Sequence, residues 1–142
     1  MLQRTKRLLI AMAAVLAAVV LAVVLLAPAG LADINSVYTT DSNHGGGASF
    51  EVMAPGWYQL TVCDRASDGK GAVAHLRYTT TGTLIATWRD PSHNALCQYA
   101  DSPLDIPAIS PGFSITLTTC LYWHDSNGAY HEKYCFSKVG SS

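Results

Sequence analysis

The sequence lacks the short arrangements that most often announce chemistry. It holds no G-x-S-x-G elbow, no H-E-x-x-H run and no Gly-rich phosphate loop. Serine hydrolysis, zinc proteolysis and nucleotide binding therefore have no local signature. There is no C-x-x-C either, which removes thioredoxin-like redox motifs and ordinary zinc knuckles. Charge is scarce: nine Lys and Arg stand against ten Asp and Glu in 142 residues. No basic stripe exists to neutralise phosphates, which excludes nucleic acid as a partner. Beyond residue 32 no stretch keeps a helical period, which excludes an all-α fold.

What is present begins with a segment unlike the rest. Arg4, Lys6 and Arg7 precede an uncharged apolar run from Leu8 to Ala27, followed by Pro28 and the small residues Ala29, Gly30 and Ala32. This three-part order predicts a Sec-type signal over residues 1–32, with a mature chain starting at Asp33 or Gly30. The alternative is an uncleaved membrane anchor, since twenty apolar residues suffice to cross a ~30 Å hydrocarbon core. Three of the nine bases lie in this segment, so a chain from Asp33 keeps six against ten acids, a net charge of −4. Its localisation is read as secreted, or as membrane-anchored with the domain outside.

Four cysteines remain: Cys63, Cys97, Cys120 and Cys135. An even number in an exported chain implies two disulfides, with three possible pairings. Asn127-Gly128 is a strong two-residue hairpin signal, because a type I′ turn needs positive φ at both central positions. Counting outward from that turn sets His124 opposite His131, Tyr122 opposite Lys133 and Cys120 opposite Cys135. Opposed strand residues lie within disulfide reach, so Cys120–Cys135 follows, and Cys63–Cys97 follows by elimination.

The same register sorts the faces, since side chains alternate along a strand. Phe113, Ile115, Leu117, Leu121, Trp123, Tyr130, Tyr134 and Phe136 fall on the core face, together with Glu132. Tyr122, His124, His131 and Lys133 fall on the solvent face with the cysteines. A second hairpin is read at Tyr78–Leu84, where a three-residue loop ending in left-handed Gly82 puts Ala74, Leu76, Tyr78, Leu84, Ala86 and Trp88 on one face.

Two stretches also resemble each other. Pro55-Gly56-Trp57 leads through a strand to Cys63 and on to Gly71-Ala72, His75 and Tyr78. Pro111-Gly112-Phe113 leads to Cys120 and on to Gly128-Ala129, His131 and Tyr134. Whether by duplication or by coincidence, they predict two equivalent hairpins. Further strands are expected at Ala48–Met53, Ala95–Tyr99 and near Ser36–Thr39, while residues 100–112 read as a connection. The Asp-Ser-Asn-His-Gly-Gly-Gly run reads as a flexible linker or long turn. The predicted organisation is a signal over 1–32, a flexible segment over 33–47 and one β domain over 48–142. About seven or eight short strands with frequent turns indicate an all-β antiparallel sandwich stapled by two disulfides.

Few residues offer chemistry. Asp64, Asp68 and Gly69 echo the start of a calcium loop, but Ala66 and His75 stand where ligands are needed. His124 and His131, paired across a ladder, have the donor type for Zn²⁺ or Cu²⁺ but lack a third ligand. His44, His75 and His93 have no partner identifiable from spacing. No metal, cofactor or catalytic set is therefore assigned. The expected role is a secreted, non-catalytic binding or inhibitor module for an extracellular protein or glycan, using Tyr122, His124, His131 and Lys133. The alternatives are a small extracellular hydrolase assembled from residues distant in sequence, and a membrane-anchored envelope protein.

Overall fold

A computed structural model describes residues 33–92, 96–109 and 113–140. The signal or anchor predicted over 1–32, and His93, lie outside the described residues. Alternation of apolar and polar side chains gives eight strands: β1 (Ile34–Tyr38), β2 (Gly46–Ala54), β3 (Trp57–Asp64), β4 (Gly71–Tyr78), β5 (Leu84–Asp90), β6 (Cys97–Asp101), β7 (Ile115–His124) and β8 (Tyr130–Val139). They form two four-stranded antiparallel sheets, β1-β2-β3-β6 and β5-β4-β7-β8. The all-β sandwich is as expected. Its core lies between the sheets, with Phe50, Leu60 and Val62 from one facing Leu76, Ile115 and Leu117 from the other. The connection after β6 adds buried Ile106 and Ile109.

Both disulfides join the predicted partners, Cys63 to Cys97 across β3 and β6, and Cys120 to Cys135 across β7 and β8. The two similar stretches do not make equivalent hairpins. Only β7 and β8 pair with each other. β3 pairs with β2 and β6, whereas β4 pairs with β5 and β7, so residues 65–70 carry the chain from one sheet to the other. The β4–β5 register matches expectation along most of its length, with Ala74 opposite Trp88 and Leu76 opposite Ala86. Gly82 is left-handed at φ 69°. A bulge beside the turn pairs Leu84 with Arg77, which leaves Leu84 exposed, while Trp88 packs against the core as expected.

The run read as a flexible linker or long turn is a closed, hydrogen-bonded loop of the domain, a turn rather than a linker. Thr39 is buried; its hydroxyl donates to Asp41 and accepts the Gly46 amide at 3.0 Å. Asp41 accepts the Gly45 amide at 3.0 Å, and the His44 ring bonds the Thr39 carbonyl at 2.8 Å. A Cβ on Gly46 would lie 2.9 Å from Thr39 and 3.2 Å from Leu121. The glycines here permit close approach rather than motion. With Ile34 and Val37 fully buried on β1, the domain includes residues 33–47.

Candidate functional site

The β7–β8 turn decides which side chains meet on the outer face of the second sheet. Asp125, rather than Ser126, opens it. Its carboxylate accepts the amides of Asn127 and Ala129, both at 2.9 Å, and its own amide donates to the Ala129 carbonyl at 3.0 Å. Only Gly128 is left-handed, at φ 80°. This is a three-residue loop ending in a glycine, not the two-residue type I′ turn read from Asn127-Gly128. Near the turn the pairing is therefore shifted by one residue: His124 opposite Tyr130, Trp123 opposite His131, Tyr122 opposite Glu132 and Leu121 opposite Lys133.

A β-bulge then restores the expected register. Tyr134, left-handed at φ 57°, and Cys135 together oppose Cys120, and beyond them Thr119 pairs with Phe136 and Thr118 with Ser137. An inserted residue of this kind returns the alternation to its former phase. The cysteine pairing inferred from the wrong turn thus survives, but the faces near the turn do not.

The four predicted binding residues consequently separate. Tyr122 and His124 remain together on the outer face. His131 and Lys133 belong to the opposite face, opposed to Trp123 and Leu121. His131 stacks on Trp123 at 5.5 Å between centroids and bonds Asp125 at 3.0 Å, so it does not share a metal position with His124. Tyr130 and Glu132, read as core-facing, take the vacated places outside. Tyr134 and Phe136 are exposed as well, because β8 is an edge strand, and Phe113, which precedes β7, is half-exposed against the edge of Tyr78.

The assembled cluster draws on four strands. Arg89 of β5 places its guanidinium 5.8 Å from the Tyr122 ring and 5.3 Å from the Tyr130 ring. These rings lie 5.7 Å apart, and His124 meets Tyr130 edge-on at 5.4 Å. Tyr122 lies flat because Gly71 has no side chain beneath it; a Cβ there would stand 2.6 Å from the ring. The Tyr130 hydroxyl donates to Glu132 at 2.5 Å. The other Glu132 oxygen accepts from Nε2 of His75 at 3.0 Å, and Nδ1 of His75 accepts from the Thr87 hydroxyl at 3.0 Å. This tautomer is the one the acceptor-only carboxylate selects. Below this canopy Val73 and Cys120 are buried although they lie on the outward-facing side of the sheet.

The electrostatics follow from these contacts. Burial raises the Tyr122 phenol above its ordinary value, opposed by Arg89 and reinforced by Asp90 and Asp64. Burial and the bond to Glu132 raise Tyr130. Burial alone would raise Glu132, but the hydrogen bonds from Tyr130 and His75 outweigh it and hold the carboxyl low. His75, Cys120 and Glu132 bring donor atoms within 4.8 Å of one another, yet the Cys120 sulfur is committed to its disulfide. That trio does not offer a metal three free donors. In the calcium-like loop, Asp68 pairs with Lys70 at 2.7 Å, while Asp64 is buried and caps the Ala66 amide at 3.3 Å.

Sequence reasoning missed Arg89, Tyr130 and Glu132, and left His75 without a partner. One available signal was Asp125 itself. Asp at the first position of a type I turn with Gly at the left-handed position marks the longer loop.

Neither a family model nor a curated protein sequence matches the chain. Among solved structures, the crystal structure of an endonuclease/exonuclease/phosphatase from Beutenbergia cavernae DSM 12333 is similar, with a TM-score of 0.58 and 22% identity. The likeness covers 80% of this chain but only 27% of that one. It shows a shared fold.

Proposed function

We propose that this protein is an exported, non-catalytic binding module that engages an extracellular partner through Tyr122, His124, Tyr130 and Arg89. The observation that carries this reading is the placement of one guanidinium over two tyrosine rings on an outer sheet face. Aromatic rings and arginine are the side chains enriched where protein surfaces bind. Here they stand on β5, β7 and β8 of one sheet, beside a disulfide, so little ordering cost remains for association. Export is supported by the two disulfides and by the signal-like order of residues 1–32. The likeness to part of an endonuclease/exonuclease/phosphatase supports the fold of the module and brings no activity with it.

One observation favours the hydrolase alternative. Thr87, His75 and Glu132 line up as hydroxyl, imidazole and carboxylate, with both contacts at 3.0 Å. This is the order of a nucleophile, base and orienting acid. The same groups also roof Val73 and Cys120, and that structural task needs no reaction.

A His124→Ala, Tyr130→Ala variant tests the binding reading, because both side chains are exposed, and Thr87→Val tests the hydrolase one. The immobilised protein and the variant are exposed to culture fluid of the producing cell and, separately, to simple esters and peptides. The binding reading expects a partner retained by the parent and lost by the folded variant. Turnover abolished by Thr87→Val, with unchanged folding, would overturn it.

A further inference from the structure

The outer face of the first sheet holds a separate groove of about 500 Å³, within the usual range for small-ligand sites. The Cys63–Cys97 disulfide and Gly47 form its floor, and Ser36, Ser49 and Thr61 line it with hydroxyls. The Tyr38 ring lies over Gly47, where a Cβ would come within 3.2 Å of it. Arg65 stands 5.3 Å from the centre of that ring. Among the described residues that line the groove, Arg65 is the one charged residue. The ion pairs among the described residues join Lys70 to Asp68, His75 to Glu132 and His131 to Asp125, so none neutralises it.

We propose that this groove binds a saccharide unit bearing a single carboxylate. The sugar packs against the exposed part of Tyr38, its carboxylate pairs with the Arg65 guanidinium, and its hydroxyls bond Ser36, Ser49 and Thr61. Arginine suits this task because its planar fork matches a carboxylate with two parallel bonds. Hydroxyl side chains donate and accept alike, as a polyol requires.

Charge along the face limits the ligand further. Ser49 pairs with Thr61, and the next outward row holds Glu51, Gln59 and Asp101. Rows on one face are about 7 Å apart. A polyanion lying along the strands would meet these two acids once past Arg65, and like charges at that spacing repel. A single acid seated at the Arg65 end avoids them. Exposed Tyr99 and Trp57 on the same face offer further stacking surfaces to neutral sugars that continue the chain. The groove is on the other sheet from the Tyr122 cluster and does not depend on it.

Nuclear magnetic resonance titration of the purified protein tests the assignment. The probes are a disaccharide ending in glucuronic acid, the same disaccharide with its carboxyl reduced to an alcohol, a sulfated polysaccharide and a short oligonucleotide. The acidic disaccharide is expected to shift the Tyr38 and Arg65 resonances and to bind at least about tenfold tighter than its reduced form, as a charge-assisted pair at an exposed site provides. Arg65→Gln should erase that difference, and Tyr38→Ala should weaken both sugars. Both positions are exposed, so folding is expected to persist. The His124→Ala, Tyr130→Ala variant should bind the sugar unchanged, which keeps the two surfaces distinguishable. No binding of the acidic disaccharide, equal binding of its reduced form, insensitivity to Arg65→Gln, or tighter binding of either polyanion would each overturn the assignment.

Discussion

The carbonyl of Tyr134 accepts the amide of Thr40 at 2.9 Å, tying the bulged edge strand of one sheet to the loop that leaves β1 of the other. The residue that makes this contact also adopts a left-handed conformation, at φ 57°. Its position between Lys133 and Cys135 lets the β7–β8 ladder change phase while Cys120 and Cys135 remain opposed.

A left-handed non-glycine residue costs roughly 1–2 kcal/mol. The exposed Tyr134 ring has little packing to lose. Tyr134→Gly is therefore expected to stabilise the domain by up to about 1 kcal/mol, and Tyr134→Val to destabilise it, because a β-branched residue tolerates this region least. Urea unfolding checks both. A stabilised Val variant would mean that the bulge is not left-handed.

Gly71→Ala is expected to destabilise by about 1–3 kcal/mol, the range for overpacking. Its Cβ would stand 2.6 Å from the Tyr122 ring and 2.8 Å from the Asp90 carbonyl. The ring can move but the backbone cannot. Adding Tyr122→Ala should recover only part of the loss. Full recovery in the double variant would remove the Asp90 contact from the explanation.

The Glu132 pair makes stability depend on acid. Burial opposes its ionisation, but bonds from Tyr130 and His75 hold the folded carboxyl below its unfolded value. The unfolded state therefore takes up the proton first as pH falls. The stabilisation is fully present above the unfolded carboxylate range, about 4.3, and disappears as pH drops through the lower folded value. Glu132→Gln should lower the urea midpoint near neutrality, with the gap to the parent closing between about pH 5 and pH 3. A constant gap across that window would show that the carboxylate charge is not what stabilises the pair.

Much of this architecture was legible because it rests on local periodicity. Alternation marked β3, β4 and β7, Gly82 set most of the β4–β5 register, and the cysteine count with one hairpin yielded both disulfides. Side-chain period is a property of the strand itself, so a linear reading captures it. Which strand neighbours which is different. Turn residues mark β7–β8 as a hairpin, but nothing local marks β3–β4 as a crossing between sheets, because that choice depends on where the whole core is buried.

The candidate surfaces lay on the less legible side. A one-residue change at Asp125 and a compensating bulge at Tyr134 exchanged Tyr130 and Glu132 for His131 and Lys133 on the outer face. Since the period is two, each single-residue slip inverts every side chain until another cancels it. Composition and alternation determined that the chain makes a stapled β-sandwich. Tertiary structure decided that Arg89 meets Tyr122 and Tyr130, and that Arg65 meets Tyr38, because those contacts join strands and loops whose adjacency only the packed sheets create.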